Sequence, residues 1–511
     1  MRYVLLLSDP RAQTTALAGG KGASLARLIA AGLPVPPGIV ITAEAYRDFA
    51  AGVPDLRERV AALGSLAPAS RAEQAAALRV LLAQQPLPGG LADEIATALG
   101  AELDLAYAVR SSGTLEDLAD AAFAGQHDTF LNRRGLAPIL LAVKACFLSL
   151  WQDRAIAYRE HAGMAAGDAA MAVVVQRLVA ARSAGVGFSI DPVSGKLHEM
   201  VVTANFGLGE SVVAGESEVD HFVLAKESLE VRSERIGRKT MRVVAAADGV
   251  AHVAATTEEA ATPSLSREDL TTLGRLLRQV EDMSGFPQDI EWAFDDRGLW
   301  LLQARPVTAI APRWTRDESA ERFPNVVTPL AWDFVEEGFH GALAHSFALM
   351  GLPRFRGKWF ALLDNYVYGN QTAVELYMGR PLFQLRSIAD LRAAIPRLRQ
   401  RFAWVEALPR QWSRDLDRYL MSVGALMAEP LEHKSVQELW DYITRVNALG
   451  RTYFKSNIAI SIGQSALFHV LRDVLRSLLG EAEASAAFAA LTGYSETRTG
   501  AINEERTRWQ G

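Results

Sequence analysis

The chain has 511 residues, room for two to four domains of ~100–200 residues each, and its 50% hydrophobic and 22% charged composition excludes wholesale disorder. A single cysteine, Cys146, excludes an intramolecular disulfide framework, and a net charge of −6 gives no reason to expect nucleic acid as a partner. The apolar run that ends at Leu7 is too short for a signal peptide, and no window of 18 uncharged apolar residues occurs, so we expect a cytoplasmic protein without a membrane partner.

Residues 1–310 alternate between strand and helix patterns, which predicts a mixed α/β class. Helices are predicted over 23–31, where Gly32 and three prolines stop the helix, from Ala43 onward, and within 56–100. The predicted strands share short apolar, often β-branched sequences and cover residues 1–7, 39–42, 106–109, 172–175, 185–190 and 200–204.

The sequence pattern changes over residues 309–330, where three prolines flank a charged stretch. Beyond it the sequence shows long helical patterns and few strands. Ser435 and Glu438 have capping-box spacing, and a helix over 464–479 is predicted to end at Gly480. We therefore expect one α/β domain over 1–310, a linker over 311–330 and a mainly helical domain over 331–511.

The first candidate site is the segment Gly19–Ser24, because familiar phosphate motifs such as a Walker A loop are missing from the sequence. Its three glycines allow close backbone approach, and a helix starting near Ala23 would aim its N-terminal amides at a ligand. Lys21 adds a mobile positive charge that suits phosphates. The alternative is an ordinary glycine turn with a surface lysine.

The second candidate is Arg110, which stands at a predicted strand end and is followed by Ser111, Ser112 and Gly113. A guanidinium binds phosphate oxygens in pairs, so this pattern suits an anion. The segment continues through a glycine-containing loop to Thr129.

The third candidate is a hairpin of residues 289–294 and 299–305. A three-residue loop ending at a left-handed Gly298 would place Glu291 opposite Gln303 and Asp289 opposite Arg305. The alternation of strands then puts these polar side chains on one face, opposite Ile290, Trp292 and Leu302. A carboxylate beside an amide oxygen offers hard oxygen ligands for Mg²⁺. A solvated hairpin face is the alternative.

In their order and spacing these segments resemble the ATP-binding domain of phosphoenolpyruvate synthase, pyruvate phosphate dikinase and rifampicin phosphotransferase. Residues 19–49, 109–132 and 303–308 are similar to segments of that family, as are Val173–Val179, the turn at 185–195 and Asn205–Glu210. The similarity covers about residues 1–310, and the layout is nearest to rifampicin phosphotransferase-like enzymes.

The resemblance implies an ATP-grasp fold that converts ATP to AMP and passes a phosphoryl group to a histidine on a swivelling domain. It implies that Lys21, Arg110 and Arg305 are catalytic and hold the phosphates, and that Gly125 and Thr129 lie in a loop covering them. Gln176 would meet the adenine. Glu291 and Gln303 would hold Mg²⁺, so the implied cofactors are ATP and Mg²⁺.

The chain also departs from this family. None of its nine histidines has the family's carrier context, so we expect the phosphohistidine domain on a partner chain or a further C-terminal segment. A ligase-like relative that condenses substrates and a non-catalytic nucleotide-binding subunit remain alternatives. Residues 322–332 resemble the start of an acceptor-binding domain, which implies a small-molecule, antibiotic-like acceptor. Aromatic residues that could line its pocket or form its core are Trp332, Trp359, Phe360, Tyr366 and Tyr368.

Overall fold

The computed structural model of the chain describes residues 2–63, 68–114, 129–152, 169–214, 218–247, 249–307, 309–317, 323–350, 357–378 and 402–492, with isolated positions between these ranges. The chain forms two compact units, Met1–Ala311 and Pro312–Gly511. Helices and sheets occur together, which confirms the mixed α/β prediction.

The first sheet of unit 1 has five antiparallel strands in the order β1-β2-β5-β3-β4. Helices α2–α6 cover one face, and an apolar core that includes Phe49, Val109 and Phe147 lies between them and the sheet. The bounds are β1 Val4–Leu6, β2 Gly38–Ile41, β3 Tyr107–Gly113, β4 Thr129–Arg133, β5 Met171–Arg177, α2 Ala43–Ala50, α3 Leu56–Leu63, α4 Pro68–Gln84, α5 Leu91–Leu99 and α6 Leu136–Ser149.

The second sheet of unit 1 has six antiparallel strands in the order β13-β12-β6-β7-β8-β9. A second core joins it to α1, to α9 and to the other face of the first sheet, with Val40 and Val174 from that sheet and Trp292 from this one. The bounds are β6 Ser183–Phe188, β7 Glu199–Phe206, β8 Asp220–Ala225, β9 Val231–Arg235, β12 Gln288–Asp295, β13 Gly298–Pro306, α1 Thr15–Ala30, α7 Glu210–Ala214, α8 Thr257–Ala261 and α9 Arg267–Ser284.

A separate hairpin, β10 (Met241–Ala245) and β11 (Val250–Ala254), contacts both sheets. Nδ2 of Asn132, on β4, donates to the carbonyls of Ala246 and Gly249 at 2.6 and 2.8 Å. At the other sheet, the amide of Leu208 donates to the carbonyl of Val243 at 2.8 Å. The hairpin therefore links the edge of the first sheet to the end of β7.

Unit 2 contains a small sheet of order β14-β16-β15 and a series of helices. Within residues 311–330, Trp314 and Thr315 form β14 and Pro329 begins α10. The side chains of Trp332, Trp359 and Phe360 are buried, whereas Tyr366 is exposed. The bounds are β14 Trp314–Thr315, β15 Phe360–Leu363, β16 Tyr366–Asn370, α10 Pro329–Leu349, α11 Gln371–Met378, α12 Ala403–Met427, α13 Val436–Leu479 and α14 Glu481–Thr492.

The longest described helix, α13, has 44 residues and begins at the capping box that Ser435 and Glu438 form, as predicted. It ends before Gly480, so the helix predicted over 464–479 is its final part. By length and composition alone α13 could cross a membrane, in contrast to the expectation that no such segment exists. A single helix of this kind is weak evidence, because core helices pass the same test.

Candidate functional site

The centre of the candidate site is Arg110 on β3, whose side chain is only 11% exposed. Its Nη2 donates to Oε2 of Glu291 at 2.6 Å and to Oε1 of Gln303 at 2.7 Å. Its Nη1 donates to the carbonyl of Leu302 at 2.9 Å. Three residues that sequence reasoning selected from segments almost two hundred residues apart thus meet at one guanidinium.

The register of β12 and β13 explains how Glu291 and Gln303 come to be adjacent. As predicted, Glu291 pairs with Gln303 and Asp289 pairs with Arg305. The predicted three-residue loop is wrong, because Asp295 pairs with Gly298 and leaves only two residues in the turn. Oδ1 of Asp295 accepts from the amides of Arg297 and Gly298, which closes the shorter turn.

A β-bulge restores the predicted register between the turn and the site. Trp292 pairs with Leu301 and Glu291 with Gln303, so Leu302 is the extra residue on β13. Leu301, and not Leu302 as the alternation predicted, therefore enters the core beside Trp292. The carbonyl of Leu302 accepts from Arg110, so the bulge supplies part of the site.

Arg305 is held by Asp289, a residue that the sequence placed opposite it but did not assign to the site. Nε and Nη2 of Arg305 lie 2.9 and 2.7 Å from Oδ2 of Asp289, and the arginine side chain remains 43% exposed. Burial raises the pKa of Asp289, although the neighbouring Arg305 opposes that effect. This carboxylate orients an arginine whose outer part faces solvent. The predicted pairing of Asp289 with Arg305 across the hairpin was the signal that could have revealed this role of Asp289.

The glycine segment packs against β3 beside Arg110. Gly19 has φ 67° and ψ 179° and divides α1 into two helical stretches, of which the second begins directly after Gly19, close to the start predicted near Ala23. A Cβ at Gly19 would lie 2.0 Å from the carbonyl oxygen of Ser112, so a glycine is required there for contact with the strand. Oγ of Ser112 accepts from the amide of Gly22 at 3.1 Å and donates to the carbonyl of Ala18 at 2.8 Å.

Lys21 is positioned by this packing. Its Nζ donates to the carbonyl of Ser111 at 3.1 Å, next to Arg110 in the chain. Further along α1, Oγ of Ser24 donates to the carbonyl of Ala304 at 2.8 Å, next to Arg305. Elements α1, β3 and β13 therefore bring Lys21, Arg110 and Arg305 to one region of unit 1.

The remaining predicted residues lie at different positions. Thr129 pairs with Arg110 across β3 and β4, so the two side chains share one face of the sheet. Gln176 is the last residue but one of β5, is buried, and donates through Nε2 to the carbonyl of Pro36 at 3.3 Å. Gly125 lies outside the described residues.

The oxygens of the two predicted metal ligands, Glu291 and Gln303, point to one common position that a cation could occupy. Oε2 of Glu291 and Oε1 of Gln303 converge on a single positively charged nitrogen, Nη2 of Arg110, which stands where a cation between them would stand. Such oxygen donors suit Mg²⁺, which keeps several waters when few side chains bind it. Among the described residues no group of three or more His, Cys, Asp or Glu side chains could hold a metal.

Comparison with known proteins identifies the family. The model of the pyruvate phosphate dikinase AMP/ATP-binding domain matches residues 15–323. The chain belongs to this family. All of the predicted site residues lie inside the matched range, and the resemblance inferred from the motifs is confirmed.

Several relatives of this chain, with different names, are similar to it over the matched residues. It is 37% identical over 320 residues to a probable phosphoenolpyruvate synthase of Methanocaldococcus jannaschii, 61% of this chain and 27% of the relative. It is 36% identical over 326 residues to a rifampicin phosphotransferase of a Streptomyces species, 63% of this chain and 38% of the relative. It is 37% identical over 380 residues to the prodigiosin synthesizing transferase PigC of Serratia marcescens, 69% of this chain and 41% of the relative. The matched part spans well under half the length of each relative.

Proposed function

We propose that this chain is the ATP-binding part of a cytoplasmic, dikinase-type phosphotransferase with an ATP-grasp fold over 1–310. The observation that carries the proposal is the convergence of Arg110, Glu291 and Gln303 next to Arg305 and Lys21, within the residues that match the family. Phosphoryl transfer asks a protein chiefly to position phosphates and to stabilise their charge, and this set of side chains can do both.

Each side chain has a role in this proposal. Lys21, Arg110 and Arg305 bind phosphate oxygens of ATP, and Gln176 with the adjacent backbone meets the adenine. Gly125 belongs to the loop over the phosphates, and Thr129, which the resemblance also placed in that loop, is the first residue of β4 and stands where the loop ends. Glu291 and Gln303 hold Mg²⁺, which when bound neutralises part of the phosphate charge. Asp289 keeps the guanidinium of Arg305 in place through two contacts to one carboxylate oxygen.

The phosphoryl group then passes to a histidine outside this chain, on a partner chain or a further C-terminal segment, and from there to a small-molecule acceptor. We assign residues 331–511 to a mainly helical, partial acceptor-binding domain, with 311–330 as the linker. The match to a rifampicin phosphotransferase supports an antibiotic-like acceptor. The proposed partners are thus ATP, an acceptor and a phosphohistidine domain.

A second candidate is an ATP-dependent condensing ligase of the same architecture. It is favoured by the match to the prodigiosin synthesizing transferase, which covers 69% of this chain and bears a name for synthesis and not for a phosphotransferase.

The test is release of AMP from ATP and Mg²⁺ by this chain, alone and with a family phosphohistidine domain added in trans. The expected result is tight ATP binding by the chain alone, and phosphohistidine with AMP only after the addition. Glu291→Gln should abolish both products, whereas Glu234→Gln, at an exposed ion pair on β9, should leave them unchanged. ATP binding with no AMP under either condition would support a non-catalytic subunit instead.

A further inference from the structure

The two carboxylates of the candidate site are already neutralised by the protein itself. Asp289 pairs with Arg305, and Glu291 pairs with Arg110 at 2.6 Å. The two carboxylates stand next but one to each other along β12, where Asp289 lies opposite Arg305 and Glu291 opposite Gln303 on β13. Without a nucleotide, the two carboxylates and the two arginines that pair with them carry no net negative charge that would attract a divalent cation.

The amide oxygen that would complete a metal site is also occupied. The same Nη2 of Arg110 that meets Glu291 donates to Oε1 of Gln303, and Nη1 is fixed by the bulge carbonyl of Leu302. One donor of this guanidinium, Nε, is buried and has no hydrogen-bond partner among the described residues. The arginine is therefore held at the oxygen pair while its Nε donor stays unused.

We propose that Arg110 is a built-in cation that keeps Mg²⁺ out of the Glu291–Gln303 site until a nucleotide arrives. Phosphate oxygens compete for the guanidinium, because charge-assisted and paired contacts to phosphate are strong. When they draw Arg110 away, the two oxygens become available to the metal that the nucleotide carries. Mg²⁺ and the nucleotide thus enter the site together, and Mg²⁺ without a nucleotide binds to Glu291 and Gln303 only weakly. This inference rests on the proposed function and concerns the order of binding at the same site.

The test measures binding of Mn²⁺ in the absence of nucleotide, by the loss of the free-ion signal in electron paramagnetic resonance. Mn²⁺ is a suitable probe because carboxylate and carbonyl oxygens accept it as they accept Mg²⁺. The wild-type chain should bind it weakly, and Arg110→Met should bind it about tenfold more tightly or better. Arg110→Lys keeps the positive charge and should show no gain. Arg110→Met/Glu291→Gln should lose the gain.

A matched control is the pair of Arg182 and Asp269, which has the same 2.6 Å separation, but in which the guanidinium donates to no side-chain amide oxygen among the described residues. Arg182→Met frees a carboxylate in the same way and should leave Mn²⁺ affinity unchanged. Thermal melting checks that each variant is folded, and Arg110→Gln replaces Arg110→Met if the latter does not fold.

Equal Mn²⁺ affinity in the wild type and in both neutral Arg110 variants would overturn the inference. A second titration, with Mn²⁺ and a non-hydrolysable ATP analogue on the wild type, separates this failure from failure of the proposed function. Joint binding there without a gain in the Arg110 variants refutes only the built-in cation. A gain in the variants without any nucleotide binding by the wild type refutes the proposed function.

Discussion

Replacing Gly19 by alanine should destabilise unit 1 strongly, because two separate costs act at this position. The backbone angles of φ 67° and ψ 179° lie in a region that is open to glycine alone, which costs other residues about 1–3 kcal/mol. The new Cβ would also lie 2.0 Å from the carbonyl oxygen of Ser112 and 2.4 Å from its Oγ. Relieving such overpacking costs about 1–3 kcal/mol more, so the expected loss of unfolding free energy is about 2–6 kcal/mol.

Urea denaturation of Gly19→Ala and of the wild type measures this loss. Gly32→Ala is the matched control, because Gly32 also has a positive φ of 76° but has nothing within 4 Å of an added Cβ. It should lose only about 1–2 kcal/mol, the cost of the left-handed conformation. A loss below about 1 kcal/mol for Gly19→Ala, or equal losses for the two variants, would refute the argument that the glycine segment needs contact with β3.

Three further predictions concern buried and paired charges. Lys239→Met should lower the unfolding free energy by about 3–5 kcal/mol in urea denaturation, because it leaves the fully buried carboxylate of Asp220 without its cation. Asp289→Ala should weaken binding of an ATP analogue about tenfold in calorimetry, because Arg305 loses the carboxylate that orients it. Basic neighbours lower the pKa of Glu429 to about 2, so this carboxylate stabilises the fold above its unfolded pKa near 4.5, and the contribution should disappear as the pH falls through about 2 in thermal melts.

Each of these predictions has a control. Arg267→Met breaks an exposed ion pair with Glu234 and should cost about 0–1 kcal/mol, so an equal loss for Lys239→Met would contradict the burial argument. Asp289→Ala should melt near the wild type, since unfolding alone would also weaken binding. Glu429→Gln should reduce the fall in melting temperature between pH 4.5 and about 2. An unchanged fall would assign the pH dependence to other groups.

The hairpin of β12 and β13 shows how far sequence reasoning reaches at the site. Hydrophobic alternation and a glycine turn were sufficient to pair Glu291 with Gln303. The turn length was wrong by one residue, and the bulge at Leu302 cancelled the error on the way to the site. Alternation did not reveal this bulge, because the extra residue Leu302 is apolar like Leu301 before it and changes only which leucine enters the core.

Contacts between residues far apart in the chain were the other feature that could not be predicted from the sequence. Nothing local in the sequence indicates that Gly19 packs against Ser112, because the contact joins residues that are 93 positions apart. Likewise, the sequence put Asp289 opposite Arg305, but its role as an orienting carboxylate follows only from the two contacts to one buried oxygen.

The hairpin of β10 and β11 has a mechanical consequence for the two sheets of unit 1. It is fastened to the first sheet through Asn132 and to the second through Val243, and its own backbone hydrogen bonds make it a ribbon that does not stretch. The sheets can therefore part only as far as this tether permits.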